Sequence, residues 1–302
     1  MKIVHVKGGD YSDVLDSYNK WSDYDDGSTE DVLFVGYKSS ISNQVKDKYV
    51  HYKRKAYLNW EAPCSFFTRD DAITSQAYFD RVYTICPYTA KWLNGKGKTQ
   101  YIPVMHPYNE KVFEKYQTSW NKTKDVIYLG GLYSSIHKQM IDVMREHDYV
   151  FSSLNKYPHT THRKIRSEKK WDLMASSKCS IAINLLFPSS KHISNIMTYD
   201  GWRDNEAFKQ DLLHEVPQLK TRVIEAAACK TLNLVMMDDW NVMEYWFNPD
   251  EFVYWDSIEE LDHLISDVKN NYYKYEPIVE RAYQRAQQYT VNIFLKNVER
   301  NI

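Results

Sequence analysis

The sequence predicts an α/β protein with two tandem domains, each built on an open and mostly parallel sheet. Its 302 residues fit two domains of ordinary size, since one domain typically takes ~100–200 residues. Short, continuous apolar runs recur along the chain, as in parallel strands that are covered on both faces. The segments between these runs have helical length, which favours βαβ units.

Five apolar runs predict the strands of the first domain, and a short helix follows the turn at Pro87. The polar stretch that begins at Asn109 lacks a strand pattern, so we place the end of this domain at residue 118. The five runs are Ile3–Val6, Asp31–Gly36, Ala56–Glu61, Arg81–Cys86 and Thr99–Val104.

Three further apolar runs predict the sheet of a second domain over residues 119–275. A final helix is expected from Pro277 to about Val298, because proline is tolerated in the first turn of a helix. Residues 276–302 are therefore expected to pack back on the first domain. The runs are Asp125–Leu129, Ser180–Leu186 and Thr231–Met236, and helices are expected at Lys138–Glu146, within Asp211–Lys230 and from Glu259.

Composition and charge exclude several classes of protein. The 39 Lys and Arg residues balance 40 Asp and Glu residues, whereas a protein that neutralises many nucleic-acid phosphates is usually basic. The four cysteines are far apart and have no metal-ligand spacing. No apolar run approaches the ~20 residues of a membrane span, and the N-terminus lacks a secretory pattern, so we expect a cytoplasmic protein. Residues 155–170 are rich in Lys, Arg and His, which is typical of an exposed segment.

The most informative segment is Lys220–Lys230, which contains Arg222 and Glu225. A guanidinium can bond two phosphate oxygens at once, which an ammonium cannot do. A glutamate one turn later lies on the same helix face and can accept both ribose hydroxyl protons. The pair therefore predicts a site for a nucleoside diphosphate, with a surface ion pair on an amphipathic helix as the structural alternative.

This segment resembles the donor-binding helix of glycosyltransferases with the GT-B fold, especially the CgeB-like and group 1 types. The pattern there is Arg-x-x-Glu-Ala-x-Ala-Cys-Gly before an apolar strand. The similarity continues through Asp238–Trp240, Tyr245–Trp255, Ser257–Leu261 and the closing Tyr289-Thr290. The resemblance implies two Rossmann-like domains facing across a cleft, with the donor nucleotide in the C-terminal one.

Two positions depart from the pattern of those families. Lys230 stands where they place a glycine that ends the helix with positive φ. Lys230 must therefore accept that geometry, or the helix must end differently. Pro217 stands eight residues before Glu225, so the Glu-x7-Glu pattern of many retaining members is missing.

A second motif follows the strand Asp125–Leu129. Gly130 and Gly131 allow close approach of the backbone to a ligand, and the amides after them can cradle phosphate. His137 and Lys138 are candidates to supplement Arg222 on the pyrophosphate. A similar arrangement opens the C-terminal domain of GT-B enzymes, including the phage DNA β-glucosyltransferase. Asn184, at the end of a buried strand, is a further candidate for donor contact.

The N-terminal half offers a candidate general base. Transfer of a sugar requires a group that accepts the proton of the attacking hydroxyl. Glu61 ends a predicted strand, at a place similar to the aspartate base of inverting GT-B enzymes, and capping of the next loop is the alternative. Gly8, Gly9 and Asp10 follow the first strand and are candidates for the acceptor side.

The resulting expectation is a glycosyltransferase (class EC 2.4) that moves a sugar from a UDP- or GDP-sugar to an acceptor hydroxyl on a glycan or glycoconjugate. The first domain would bind the acceptor, and inversion is favoured. No cofactor or metal is required, although Mg²⁺ is compatible, because Arg222 and Lys138 would stabilise the leaving diphosphate. Two alternatives stay open, a phage-type enzyme acting on hydroxymethylated bases in DNA and a non-catalytic nucleotide-sugar-binding module.

Overall fold

The chain folds into two compact units. The computed structural model describes residues 1–6, 20–36, 42–59, 78–94, 98–165, 167–188 and 215–301. Unit 1 comprises residues 1–107, 185–218 and 291–302, and unit 2 comprises residues 108–184 and 219–290. Both units are built on parallel sheets, as the sequence predicts.

Unit 1 contains a five-stranded parallel sheet in the order β1-β2-β3-β4-β5. Apolar side chains cover both of its faces, which explains why its strands are continuous apolar runs. Helices α1 (Asn43–Lys48) and α2 (Pro87–Leu93) lie between strands. The strands are β1 (Lys2–Val6), β2 (Asp31–Gly36), β3 (Arg54–Asn59), β4 (Arg81–Thr84) and β5 (Gln100–Pro103).

Unit 2 contains a six-stranded sheet in the order β13-β12-β9-β6-β7-β8, in which all five neighbouring pairs of strands are parallel. Strands β10 (Leu185–Leu186) and β11 (Val216–Pro217) form an antiparallel pair in unit 1. The strands of unit 2 are β6 (Lys124–Leu129), β7 (Tyr149–Ser153), β8 (His162–Arg163), β9 (Ser177–Ala182), β12 (Leu232–Met236) and β13 (Val253–Trp255).

Six helices of unit 2 fall within the described residues. Their apolar faces are turned inward, and Leu261, Ile265 and Val268 on α7 show the spacing of three and four residues that this requires. Ser257 begins α7 by accepting a hydrogen bond from the amide of Glu260 at 3.1 Å. The helices are α3 (Glu110–Tyr116), α4 (Ser135–Met144), α5 (Ser167–Ala175), α6 (Arg222–Ala228), α7 (Ile258–Asn271) and α8 (Glu276–Ala286).

The unit boundaries differ from those expected from the sequence. The first segment of unit 1 ends at Pro107 rather than at residue 118, because α3 packs with unit 2 through the bond from the Tyr283 hydroxyl to the Phe113 carbonyl, 3.0 Å. The segment 276–302 forms two helices, α8 in unit 2 and α9 (Val291–Asn301) in unit 1. Phe294 of α9 contacts the rings of Trp21 and Tyr83 within the core of unit 1.

No helix within the described ranges combines the length and the apolar composition needed to cross a membrane.

Lys230 ends α6 in the way that a glycine would. Its φ is +53°, in the left-handed region. The amide of Thr231 donates to the Ala226 carbonyl at 2.9 Å and the amide of Lys230 to the Ala227 carbonyl at 3.1 Å, which is the Schellman pattern. The helix therefore keeps the termination expected of the glycosyltransferase pattern despite the change of residue.

Side-chain contacts offset the backbone strain at Lys230. Its Nζ lies 4.5 Å from the Trp120 ring centroid and 4.7 Å from that of Tyr283, and 2.6 Å from Glu280 Oε2. These contacts join the end of α6 to α8. They are available only to a long cationic side chain.

Lys230→Gly is therefore expected to destabilise the protein, although it relieves the strain of about 1 kcal/mol that positive φ imposes on a non-glycine residue. Two cation–π contacts are worth roughly 0.5–2 kcal/mol each, so a net loss of about 1 kcal/mol should appear in urea unfolding. Glu280→Gln, which keeps both ring contacts, serves as the control and should cost less. A glycine variant more stable than the wild type would contradict this account.

Candidate functional site

The candidate site lies at the carboxyl ends of β6 and β9 in unit 2, where open α/β sheets usually bind ligands. Strand β6 runs directly into Gly130, whose amide donates to the Ser152 carbonyl at 2.9 Å. Strand β9 leads to Asn184, and α6 begins at Arg222. All of these residues belong to one compact unit.

Arg222 packs directly against Gly130. A Cβ atom at Gly130 would lie 2.6 Å from Nη2 and 3.1 Å from Nη1 of Arg222. The Arg222 guanidinium carbon also lies 4.7 Å from the ring centroid of Tyr128, a cation–π distance. The sequence places a glycine here because the guanidinium occupies the space that a side chain would need.

The Arg222 guanidinium keeps an unused donor. Its Nη1 is buried and has no hydrogen-bond partner among the described residues. Buried polar atoms in proteins are nearly always bonded, so an orphan of this kind indicates a missing partner. Stacking on Tyr128 holds the plane of the guanidinium while leaving this edge available for an oxygen acceptor.

Glu225 is buried, with 4% of its surface exposed, and its two oxygens differ. Oε1 accepts from the Tyr108 hydroxyl at 2.8 Å and from Lys170 Nζ at 2.5 Å. Oε2 is buried and has no partner among the described residues. One oxygen is thus fixed by the protein, and the other keeps its hydrogen-bonding capacity.

His137 points inward because α4 buries one face, on which His137, Met140, Ile141 and Met144 recur at helical spacing. Its Nδ1 lies 2.8 Å from Ser134 Oγ. Burial, followed by the charges of Arg222 and Lys220, lowers the pKa of His137 to about 4. His137 is therefore neutral near pH 7 and can act beside a ligand as a hydrogen-bonding group rather than as a cation.

The other predicted residues have different surroundings. Lys138 is exposed on the outer face of α4. Asn184 is fully buried, and its side-chain oxygen accepts from the Lys220 amide at 3.0 Å, which holds the chain just before α6. Gly131 accepts a hydrogen bond from the Tyr128 hydroxyl through its carbonyl at 2.9 Å. Glu61, Gly8, Gly9 and Asp10 lie outside the described residues.

Three residues of the site escaped the sequence analysis. Tyr128, Tyr108 and Lys170 support Arg222 and Glu225, yet Tyr108 and Lys170 lie 117 and 55 residues away from Glu225 in the chain. No local spacing links them, because Lys170 lies on α5 and Tyr108 precedes α3, and both meet Glu225 of α6 only in the folded chain. Within the described residues, no group of three or more His, Cys, Asp or Glu side chains could hold a metal ion.

Comparison with known families decides the class of protein. The model of the glycosyl transferase-like family matches residues 137–293, which is 157 of the 302 residues and includes Arg222 and Glu225. The chain belongs to the glycosyl transferase-like family. No curated protein matches its sequence closely enough to count as a relative.

Solved structures of glycosyltransferases share the fold of this family member. They include the DNA-modifying enzyme β-glucosyltransferase, at 14% identity and a TM-score of 0.50, covering 86% of this chain and 77% of that one. Anabaena Alr3699/HepE, solved with UDP-glucose, gives 9% identity and a TM-score of 0.55, covering 89% and 78%. TarM has a sequence identity of 8% and a TM-score of 0.51, and the match covers 90% of this chain and 55% of TarM. The fold is GT-B.

The pKa of His137 predicts how the stability of this glycosyl transferase-like protein depends on pH. Because folding lowers that pKa from 6.5 to about 4, the unfolded chain binds the proton more tightly. Neutral His137 makes its full contribution to the free energy of unfolding above about pH 6.5, and this contribution is lost as the pH falls towards 4. The loss is at most about 1.4 kcal/mol for each unit by which folding lowers the pKa. Free energies of unfolding at pH 7 and 4.5 should differ less in His137→Gln than in the wild type. Equal differences would contradict the burial of a neutral ring.

Proposed function

We propose that unit 2 binds the diphosphate of a UDP- or GDP-sugar between the Gly130–Gly131 backbone and Arg222. The observation that carries the proposal is the buried, unpartnered Nη1 of Arg222 beside the amides that follow β6. Phosphate oxygens match such a donor, and Arg bonds them more strongly than a neutral donor would. Membership of the glycosyl transferase-like family supports a nucleotide sugar as the ligand.

Glu225 completes the proposed donor site. Its Oε2 would accept hydrogen bonds from the ribose diol, while Tyr108 and Lys170 hold Oε1. Because Oε2 is buried as well as unpaired, ribose binding requires a neighbouring side chain to move. Lys170, whose side chain is 22% exposed, is the neighbour that can move towards solvent, and the Tyr108 hydroxyl then keeps its hydrogen bond to Oε1.

The proposed reaction transfers the sugar to a hydroxyl group of a glycan or glycoconjugate. The acceptor oxygen attacks the anomeric carbon, the bond from that carbon to the diphosphate breaks, and the diphosphate leaves with its electron pair. Arg222 offsets the charge that develops on the diphosphate, and Lys138 on the exposed face of α4 is proposed to assist. Glu61 is proposed to take the proton of the acceptor hydroxyl, which favours inversion.

Two other functions receive less support. The DNA-modifying β-glucosyltransferase has a similar fold, but the net charge of −1 in the present chain is unfavourable for binding duplex DNA along its length. Lys230 in the place of glycine would favour a non-catalytic module if it altered the end of α6. That substitution leaves the end of α6 unchanged, so it no longer argues against a working donor site.

Arg222→Lys is expected to weaken UDP binding by roughly 10- to 100-fold, because a charge-assisted hydrogen bond contributes about 1.5–3 kcal/mol. Gly130→Ala should have a similar effect, since its Cβ displaces the guanidinium without removing the charge. Arg145→Lys, on the exposed end of α4, is the matched control. Thermal shifts with millimolar UDP and GDP report the binding. Unchanged shifts in both site variants, or no shift in the wild type, would contradict the donor site.

Glu61→Gln tests the proposed base separately from the donor site. The variant should bind the nucleotide as the wild type does, because Glu61 is assigned to the acceptor side. The activity assay uses the nucleotide sugar that stabilises the wild type in thermal shifts. The rate at which nucleotide is released from it should fall by at least 10²-fold, as expected for a lost general base. Full activity of Glu61→Gln would remove this residue from the mechanism.

A further inference from the structure

A cluster of exposed cations borders the candidate donor site in unit 2. Residues 149–167 contain four Lys or Arg and two His but no Asp or Glu, although the whole chain has 40 acidic residues. We give the name basic edge to Lys156, Arg163 and Lys164 of this region together with Lys169, which lies just beyond it in the first turn of α5. All four are exposed. The near-neutral chain therefore concentrates positive charge at one place.

The topology of the sheet sets the distance from the basic edge to the donor loop. The Gly130 amide bonds to the carbonyl of Ser152, and the Lys164 amide bonds to the carbonyl of Ser153 at 3.1 Å. Gly130 and Lys164 therefore flank the end of β7 from opposite sides. Two strand spacings separate their backbones by about 10 Å. A ligand longer than one sugar unit could reach both.

Within the described part of the chain, the cations of the basic edge differ from neighbouring lysines in their ion pairing. Nearby lysines are neutralised, since Lys124 pairs with Asp148 at 2.9 Å and Lys170 with Glu225 at 2.5 Å. By contrast, Lys156, Arg163, Lys164 and Lys169 have no ion-pair partner among the described residues. Burial, followed by the charge of Lys169, lowers the pKa of His162, which agrees with a positive potential here.

The loop that carries the basic edge is held in place. Tyr157 stacks on Phe151, with ring centroids 6.3 Å apart and an interplanar angle of 20°. Thr160 Oγ1 donates to the Tyr157 carbonyl at 2.8 Å. His159 and Lys164 adopt positive φ, +64° and +52°, which is uncommon for residues other than glycine. The cations are thus displayed on an ordered surface rather than on a loose loop.

We propose that the basic edge binds an acceptor polymer whose repeating units carry phosphodiester groups. The inference rests on the proposed function, in which Arg222 serves the donor diphosphate, while the backbone of Lys164 in the basic edge lies about 10 Å from that of Gly130. The lysines would attract the repeating phosphates as point charges, and Arg163 could donate two parallel hydrogen bonds to one phosphate. A slender polyol- or sugar-phosphate chain fits a narrow patch, whereas duplex DNA would also cover the balanced charge of the surrounding surface.

The test compares two triple variants that remove equal charge. Lys156→Gln, Arg163→Gln and Lys164→Asn weaken the basic edge, with asparagine chosen because it tolerates positive φ. The control carries Lys48→Gln, Lys111→Gln and Lys296→Gln at exposed positions elsewhere. The probe is a fluorescent poly(glycerol phosphate) oligomer, titrated at several salt concentrations. Neutral dextran and a DNA duplex of similar length are run beside it, and UDP binding is measured for each protein.

The wild type should bind the oligomer in a salt-dependent way, more tightly than either dextran or the duplex. The basic-edge triple should lose at least tenfold in affinity, and the slope of log K against log salt should fall by about 2, as expected for three lost phosphate contacts on a single chain. The control triple should change less than twofold. UDP binding should stay the same in both triples.

Four results would overturn the proposal. The first is oligomer binding that is absent or independent of salt, and the second is an equal loss of oligomer affinity in the two triples. The third is tighter binding of the duplex than of the oligomer. The fourth is loss of UDP binding in the basic-edge triple, which would assign these cations to the donor. Absence of UDP binding in the wild type while the oligomer still binds would overturn the donor site and leave the basic edge standing.

Discussion

The contact between Arg222 and Gly130 constrains most of the candidate site. The guanidinium fills the space of a missing side chain and lies over the Tyr128 ring, so the strand β6, the loop after it and the first turn of α6 must keep their positions together. Asn184 also fixes the start of α6, because its side-chain oxygen accepts a hydrogen bond from the Lys220 amide. A rigid cation with an unsatisfied donor suits recognition of a diphosphate, since little of the binding energy is then lost to ordering.

Charge balance explains how the site remains folded without a ligand. The buried carboxylate of Glu225 would be costly alone, but Lys170 and the Tyr108 hydroxyl satisfy one of its oxygens. Among the described residues Arg222 has no acidic partner and instead contacts the π face of Tyr128, so its charge is not cancelled there. The site therefore retains a net attraction for anions while its acidic member is neutralised internally. His137, neutral because of burial and of Arg222, adds no competing charge.

The sequence was sufficient for the architecture. It also singles out Arg222 and Gly130, which are in contact in the structure, but their role in donor binding stays a prediction. Continuous apolar runs located β1 to β6, β9 and β12, since strands buried on both faces must be apolar throughout. The same pattern does not predict β7, because its segment Tyr149–Ser153 ends in two serines, or β8, because it has only two residues. Local pattern also could not show the contacts of Glu225 with Tyr108 and Lys170 or the cage around Lys230, because these partners converge only in the folded chain.

The central claim is that Arg222 and the glycine loop after β6 receive the donor diphosphate. A crystal structure of the protein with UDP tests this most directly. Phosphate oxygens are expected within hydrogen-bonding distance of Arg222 Nη1 and of backbone amides in the loop from Gly131 to Ser134, with the ribose beside Glu225 Oε2. A nucleotide bound at another place, with Arg222 Nη1 still unpartnered on Tyr128, would contradict it.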